Sequence, residues 1–219
     1  FRNTLVFLVI NVPLTVVLAM VLATALNSGI RGVAAYRVAF YVPYLTASVS
    51  LVGVWMLLFS KNGLVNTVLG PLAPHPSWLV NSALAMPMIA LYVTWKQLGF
   101  YILLYLAALQ NVPRELYESA ETDGAGVLAR FRHVTVPGVR NATALVLILS
   151  IITGANLFTE PYLLTSGGGP DGASTTPVLL IYQQGIQQQN PDTAAAIGML
   201  LVLLVGALSL VASRATRER

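Results

Sequence analysis

Five stretches of the chain are almost wholly apolar, residues 4–26, 38–59, 83–109, 142–164 and 193–213, and polar segments separate them. A helix needs about 20 apolar residues to cross roughly 30 Å of hydrocarbon, and each stretch supplies that length. The pattern predicts five transmembrane helices. Three carry no charge, the third holds Lys96 and the fourth holds Glu160. Ala19 and Ala23 form a small-xxx-small pair, and Ala194, Ala195, Ala196 and Gly198 cluster at the start of the last stretch. Small residues let helix backbones approach closely in lipid. Pro13, Pro43 and Pro87 fall inside helical stretches, where each frees a backbone carbonyl and permits a bend. Ordinary membrane-helix composition accounts for these prolines and small residues equally well.

Composition supports the same class. Of 219 residues, 56% are hydrophobic and 9% charged, with a mean hydropathy of +0.74. A soluble domain carries about 25% charged residues, and this chain has more apolar side chains than a water-facing globule can cover. The expected fold is all-α, a polytopic membrane helical bundle forming a single transmembrane domain over residues 1–219. With no cysteine, disulfides, thiol chemistry and cysteine metal sites are excluded. The chain opens on Phe1, and no basic leader precedes the first apolar run.

The positive charges are distributed unevenly. Segments 27–37, 110–141 and 214–219 hold nine arginines: Arg31, Arg37, Arg114, Arg130, Arg132, Arg140, Arg214, Arg217 and Arg219. The N-terminus and segments 60–82 and 165–192 hold Arg2 and Lys61. Cytoplasmic loops carry the excess of Lys and Arg, so the first set is expected inside the cell. The N-terminus then lies outside and the C-terminus is cytoplasmic. An outside start without a signal peptide suggests a preceding span, six in the intact protein. The net charge of +4 is thus a topology signal and gives no support to nucleic-acid binding.

Residues 110–140 differ from their surroundings, with four acids (Glu115, Glu118, Glu121 and Asp123) among the arginines. Asn111-Val112-Pro113 reads as a helix start, with Pro113 suited to the first helical position. Glu115 and Glu118 favour the positive end of that helix, and Gly124 can end it in the left-handed conformation. A second short helix is expected from about residue 125 to 133, stopping before Pro137. Leu116, Tyr117 and Ala120 share a flank of the first helix, and Val127, Leu128 and Phe131 form an apolar stripe on the second. Two readings stand: a surface hairpin packed on its own bundle, or a plug for another protein's groove.

In this loop the sequence resembles the binding-protein-dependent ABC importer permeases, of MetI-like fold. Glu118-Ser119-Ala120, Asp123-Gly124-Ala125, Phe131 and Val136-Pro137 are similar to that family's EAA loop, with Ser119 where alanine is usual. Leu98-Gly99 and residues Leu109 to Tyr117 fit the approach to the loop. Thr165-Ser166-Gly167-Gly168-Gly169-Pro170 and Asn3-Thr4-Leu5 are similar to the maltose- and glycerol-phosphate-type carbohydrate branch. The resemblance implies a permease subunit that imports a sugar or sugar-like solute across the bacterial inner membrane by alternating access. It implies a second homologous permease as heterodimer partner, two cytoplasmic ATPase subunits and an extracytoplasmic solute-binding protein. Glu118, Ser119, Ala120, Asp123, Gly124 and Ala125 are then the ATPase-coupling residues. Glu118 would make the charged contact, Ala120 and Ala125 would allow close approach, and Gly124 would form the turn.

No cofactor is expected in this chain, and ATP and Mg would be held by the partner ATPase. The chain has no Gly-x-x-x-x-Gly-Lys-Ser/Thr. The glycine-rich segment 166–172 lacks the lysine and reads as a turn before a surface helix near Pro177.

Lys96 falls mid-span, where a lysine costs about 2.5–3.5 kcal/mol on insertion scales. It faces the substrate route or makes a structural contact to a helix end or partner subunit. Asn156, Glu160 and Tyr162 lie toward the outer half of the fourth span and are candidates for the substrate pathway with Lys96. Glu160 is near enough to the interface to be expected in solvent. Tyr92, Trp95 and Tyr182 lie at similar depth, where they stack on a sugar face or belong to the aromatic belt found at every membrane interface. His75 and His133 are loop residues without an acid at ligand spacing, so no metal site is expected. A membrane enzyme would need an acid pair or histidine within the spans, and none is there. A non-sugar solute such as glycerol phosphate or a polyamine stays open. So does an ATP-independent channel or scaffold, though it has no use for the charged loop.

Overall fold

The structure, a computed structural model, describes residues 1–27 and 32–217, with side chains through Arg214. The described residues form helices in the order α1 (Arg2–Asn27), α2 (Val33–Leu45), α3 (Ser48–Phe59), α4 (Leu64–Leu69), α5 (Ala85–Leu109), α6 (Arg114–Thr122), α7 (Val127–Arg130), α8 (Val136–Gly138), α9 (Arg140–Ala155), α10 (Thr159–Leu164), α11 (Pro177–Tyr182) and α12 (Pro191–Arg217). A π-turn over Phe131–Thr135 joins α7 to α8, and another over Gln183–Gln187 extends α11. Of the basic residues used above, Arg31, Arg219 and the side chain of Arg217 lie outside the described residues.

Arg2–Asn27, Ser48–Leu72, Ala85–Leu109 and Pro191–Arg214 are each long and apolar enough to cross a bilayer. Val127–Gly138 with Arg140–Ala155, bent by 70°, makes a fifth if the bent pair counts as one span. The first, third and fifth sequence stretches are therefore continuous helices. The other two are not.

The stretch 38–59 breaks between α2 and α3, where Thr46 and Ala47 are extended. The Thr46 hydroxyl and amide both return to the Val42 carbonyl, closing α2 there. The stretch 142–164 breaks at Asn156–Phe158. Its cause is Pro161, whose missing N–H leaves the Leu157 carbonyl without its helical donor. Thr176 Oγ1 donates to that carbonyl instead, at 2.6 Å.

The helix after Gly124 also departs from expectation. It does not stop before Pro137 but continues helically to Gly138. In the π-turn the Val136 amide reaches back five residues to the Phe131 carbonyl. This register shift places Pro137 at the start of a new α-helical turn, where no N–H is needed. Pro87 likewise sits in the first turn of α5 rather than bending its interior.

α5 is the central helix, buried along most of its length. α1 packs beside it through Ala19 and Ala23, both fully buried. Asn11 Nδ2 donates to Thr94 Oγ1 at 2.8 Å between the two helices, a contact worth about 0.6–1.7 kcal/mol in lipid. α2 crosses α5 at Gly99, where an added Cβ would lie 2.1 Å from the Phe40 carbonyl oxygen. α9 meets α1 at Gly154, set against the rings and methyls of Phe7 and Leu8. Of the small residues at the start of α12, only Ala194 is buried. It packs at the bend beside Gly185.

Among the described residues, two apolar cores result. One gathers Phe7, Trp55, Leu79, Met86 and Leu164, at the end shared by the N-terminus and the 60–82 loop. The other gathers Leu26, Leu109, Val112 and Val139 where α1 and α5 end. The 110–140 loop and the glycine-rich loop are thus held at opposite ends of the bundle.

Candidate functional site

The loop after α5 is a helical hairpin whose turn is closed by two backbone hydrogen bonds. Pro113 is extended and precedes α6, one position before the expected first turn. At the other end of α6 the Gly124 amide bonds to the Glu121 carbonyl and the Ala125 amide to the Ala120 carbonyl, at 3.0 and 2.9 Å. Gly124 has φ +79°. This is the Schellman arrangement, and it needs a residue that enters the left-handed region without strain. Glu118, Ser119, Asp123 and Gly124 are exposed on the hairpin, while Ala120 and Ala125 are half-buried.

Two contacts that the sequence reading did not anticipate close the hairpin. Arg130 Nη1 lies 2.9 Å from Glu121 Oε2. Tyr117 Oη and Thr135 Oγ1 share a hydrogen bond of 3.0 Å. Nothing in their spacing marks these pairs, because the glycine turn lies between the partners of both and the π-turn adds to the separation of the second.

The apolar stripe of the second helix divides. Phe131 packs on the core at the end of α1 and α5, whereas Val127 and Leu128 stay 77% and 80% exposed. Between hairpin and α1 runs an apolar groove of about 640 Å³ lined by Val21, Ala25, Tyr117, Leu128 and Phe131. A more polar hollow of about 610 Å³ opens beside it, with Asn27, Gln110, Arg114 and Glu118 in its wall.

The second candidate site lies within the bundle. Lys96 Nζ of α5 is 3.9 Å from Glu160 Oε1 of α10, and each side chain is 13% exposed. The Lys96 ammonium also donates to Ser48 Oγ at the start of α3. Glu160 is therefore not in solvent, as its depth had suggested. The Pro161 break turns α10 so that its first residues face α5 and α3. Lys96 and Glu160 answer one another because a membrane-buried charge needs an opposite charge beside it.

Tyr162 stacks on Phe158 at 5.4 Å, and Tyr182 packs edge-on to both rings. Asn156 stands apart: it is exposed, and its Nδ2 donates to the Ile152 carbonyl of its own helix. Around Lys96 a second aromatic set forms, in which Trp55 contacts Tyr92, Trp95 and Phe59. Tyr92 is fully buried and its hydroxyl donates to the Ser48 carbonyl, so it offers no ring face. Trp95 is 38% exposed.

The glycine-rich segment is a tight knot of turns beside this site. Gly167, Gly168 and Gly169 all have positive φ, between +74° and +123°. Thr165 and Ser174 share a 2.6 Å hydroxyl bond inside the knot, and Asn3 Nδ2 ties it to α1 through the Gly172 and Thr175 carbonyls. It leads into α11 at Pro177, capped by Thr176 Oγ1, which accepts from the Leu179 amide. His75 and His133 are exposed, and no cluster of metal-ligating side chains exists among the described residues.

Residues 3–217 match the family described as the binding-protein-dependent transport system inner membrane component. The chain is 34% identical to the arabinooligosaccharides transport system permease protein of Halalkalibacterium halodurans, over 95% of this chain and 67% of that protein. It is 33% identical to the lactose transport system permease protein of Rhizobium radiobacter, over all of this chain and 75% of that one. Identity to the sn-glycerol-3-phosphate transport system permease protein of Yersinia pestis is 31%, over 98% and 73%. The chain spans only about two thirds of the length of the arabinooligosaccharide permeases it matches, 67% and 65%. In fold it is similar to a chain of the bacterial alginate ABC transporter solved with an alginate pentasaccharide-bound periplasmic protein. The TM-score is 0.85 at 23% identity, covering 99% of this chain and 77% of that one. The chain belongs to the binding-protein-dependent transport system inner membrane components, a family of multi-pass ABC permeases that act as transport subunits and not as enzymes.

Proposed function

We propose that the chain is the permease subunit of an ATP-driven importer of a sugar or sugar-like solute, working by alternating access. The 110–140 hairpin is its coupling element. It presents Glu118, Ser119, Asp123 and Gly124 outward on a turn locked by two backbone bonds, and it continues without an unstructured link into α9. A rigid knob fused to membrane helices on both sides transmits displacement, whereas a slack loop would absorb it. That is the observation carrying the reading.

In this reading the hairpin end is cytoplasmic, as the arginine distribution indicates, and the N-terminus of the chain is outside. Two ATPase subunits hold ATP and Mg and grip the hairpins of this chain and of a second, homologous permease. A solute-binding protein delivers cargo at the opposite end. Lys96, Asn156, Glu160 and Tyr162 belong to the substrate pathway. The sugar class is supported by relatives named for arabinooligosaccharides and lactose. The relative named for sn-glycerol-3-phosphate favours a second reading, in which the cargo is a phosphorylated polyol.

The test is uncoupling in the intact transporter. Glu118→Lys and Gly124→Pro are expected to insert normally and abolish uptake. Normal uptake by both overturns the coupling role. Uptake reconstituted from this chain and an ATPase alone overturns the heterodimer.

A further inference from the structure

The five apolar stretches contain two charged side chains, Lys96 and Glu160. They cancel each other, being 3.9 Å apart and each 13% exposed. The ammonium also donates to Ser48 Oγ, so little of it is free to receive an anion. Next to the pair stand groups that bind without net charge: the Ser48 hydroxyl and, one position before Lys96 on α5, the half-exposed ring of Trp95.

We infer that the Lys96–Glu160 pair is a charge filter, which lets this permease pass uncharged polyhydroxylated solutes and exclude phosphorylated or carboxylated ones. This rests on the reading of the chain as the permease of a sugar-like solute, with Lys96 and Glu160 on its substrate pathway. The apolar faces of a sugar ring lie on aromatic rings and its hydroxyls exchange water for hydroxyl partners, so a neutral solute loses little on entry. A phosphate ester beside the pair finds the Lys96 ammonium already neutralised by Glu160. It must shed its water without gaining a counter-charge, and an unpaired ion is costly in such a setting. The filter is reciprocal. Removing the acid leaves a lone cation that attracts anions, and removing the lysine leaves a lone carboxylate that attracts cations.

Equilibrium binding to the full-length assembled transporter in nanodiscs, without binding protein, tests this with labelled arabinotriose, sn-glycerol 3-phosphate and putrescine. The native chain is expected to favour arabinotriose. Glu160→Gln should move the ratio of glycerol phosphate to arabinotriose upward by about tenfold or more, a change of about 1.4 kcal/mol. Lys96→Gln should move putrescine upward similarly, and the double variant should return both ratios toward the native values. The two single variants unpair opposite charges, so either one that assembles decides the matter. Unchanged ratios in an assembled variant overturn the filter and leave the permease reading standing. A native transporter that prefers glycerol phosphate overturns both the filter and the sugar class.

Discussion

Lys96 of α5 and Glu160 of α10 meet with Nζ 3.9 Å from Oε1, although 63 positions of sequence and a broken helix separate them. The pair stabilises the junction only as a pair. Removing one partner of a buried ion pair costs about 3–5 kcal/mol, while replacing both by apolar groups of similar volume is often neutral. Lys96→Met and Glu160→Met are each expected to lower the unfolding temperature in detergent, and the double variant to recover most of the loss. Additive losses in the double variant would show that the two charges do not interact.

Gly99 is where α2 crosses α5. A methyl there meets a backbone carbonyl, Phe40 O at 2.1 Å, which has no rotamer to move away. Overpacking of this kind costs about 1–3 kcal/mol. Gly99→Ala should therefore lower thermal stability measurably, and Gly99→Leu should prevent assembly. Gly53, with nothing within 4 Å of an added Cβ, is the control expected to tolerate alanine apart from lipid or partner contacts.

Gly124 separates conformational from chemical requirements in the hairpin. Its φ of +79° is easy for glycine, tolerable for asparagine and costly for a branched residue. An added Cβ would meet nothing within 4 Å. Gly124→Asn is expected to keep ATP-driven uptake within a few-fold of the native rate, and Gly124→Val to lose it. Equal uptake by both variants would mean that the turn geometry is irrelevant to coupling.

Thr176 Oγ1 donates to the carbonyl that Pro161 leaves unpaired, Leu157 O at 2.6 Å. Thr176→Val keeps the shape and removes both this donor and the acceptor that caps α11. A buried acceptor left unsatisfied costs about 1–3 kcal/mol, and the loss falls on the loop that sets the direction of α10. Amide exchange over residues 157–165 should rise while α5 stays protected. Unchanged exchange would show that the carbonyl finds another donor.

Much of this fold was legible in the hydrophobic pattern. The continuous spans α1, α5 and α12 have long charge-free or nearly charge-free runs, and the burial of Ala19 and Ala23 follows from their spacing. The hairpin was legible because Pro113 and Gly124 bracket α6 with residues that suit those backbone positions. The breaks were less so. Residues 142–164 read as one apolar stretch despite Asn156 and Glu160, and the missing N–H of Pro161 is what marks where the helix ends. The π-turn at Phe131–Thr135 carries no sequence mark, so Pro137 read as a stop when it begins a new turn. The pairing of Lys96 with Glu160 was out of reach for the same reason, because it depends on how the break turns α10. Each charge alone signalled only that a partner was needed.

The coupling claim is tested most directly at Ser119, exposed on the hairpin of a chain that has no cysteine. Ser119→Cys in the assembled transporter would be treated with a membrane-impermeant maleimide in vesicles of both orientations, with and without the ATPase subunits. The predicted result is labelling only in inside-out vesicles stripped of the ATPase, and protection once it is bound. Labelling in right-side-out vesicles, or labelling unaffected by the ATPase, would contradict the account.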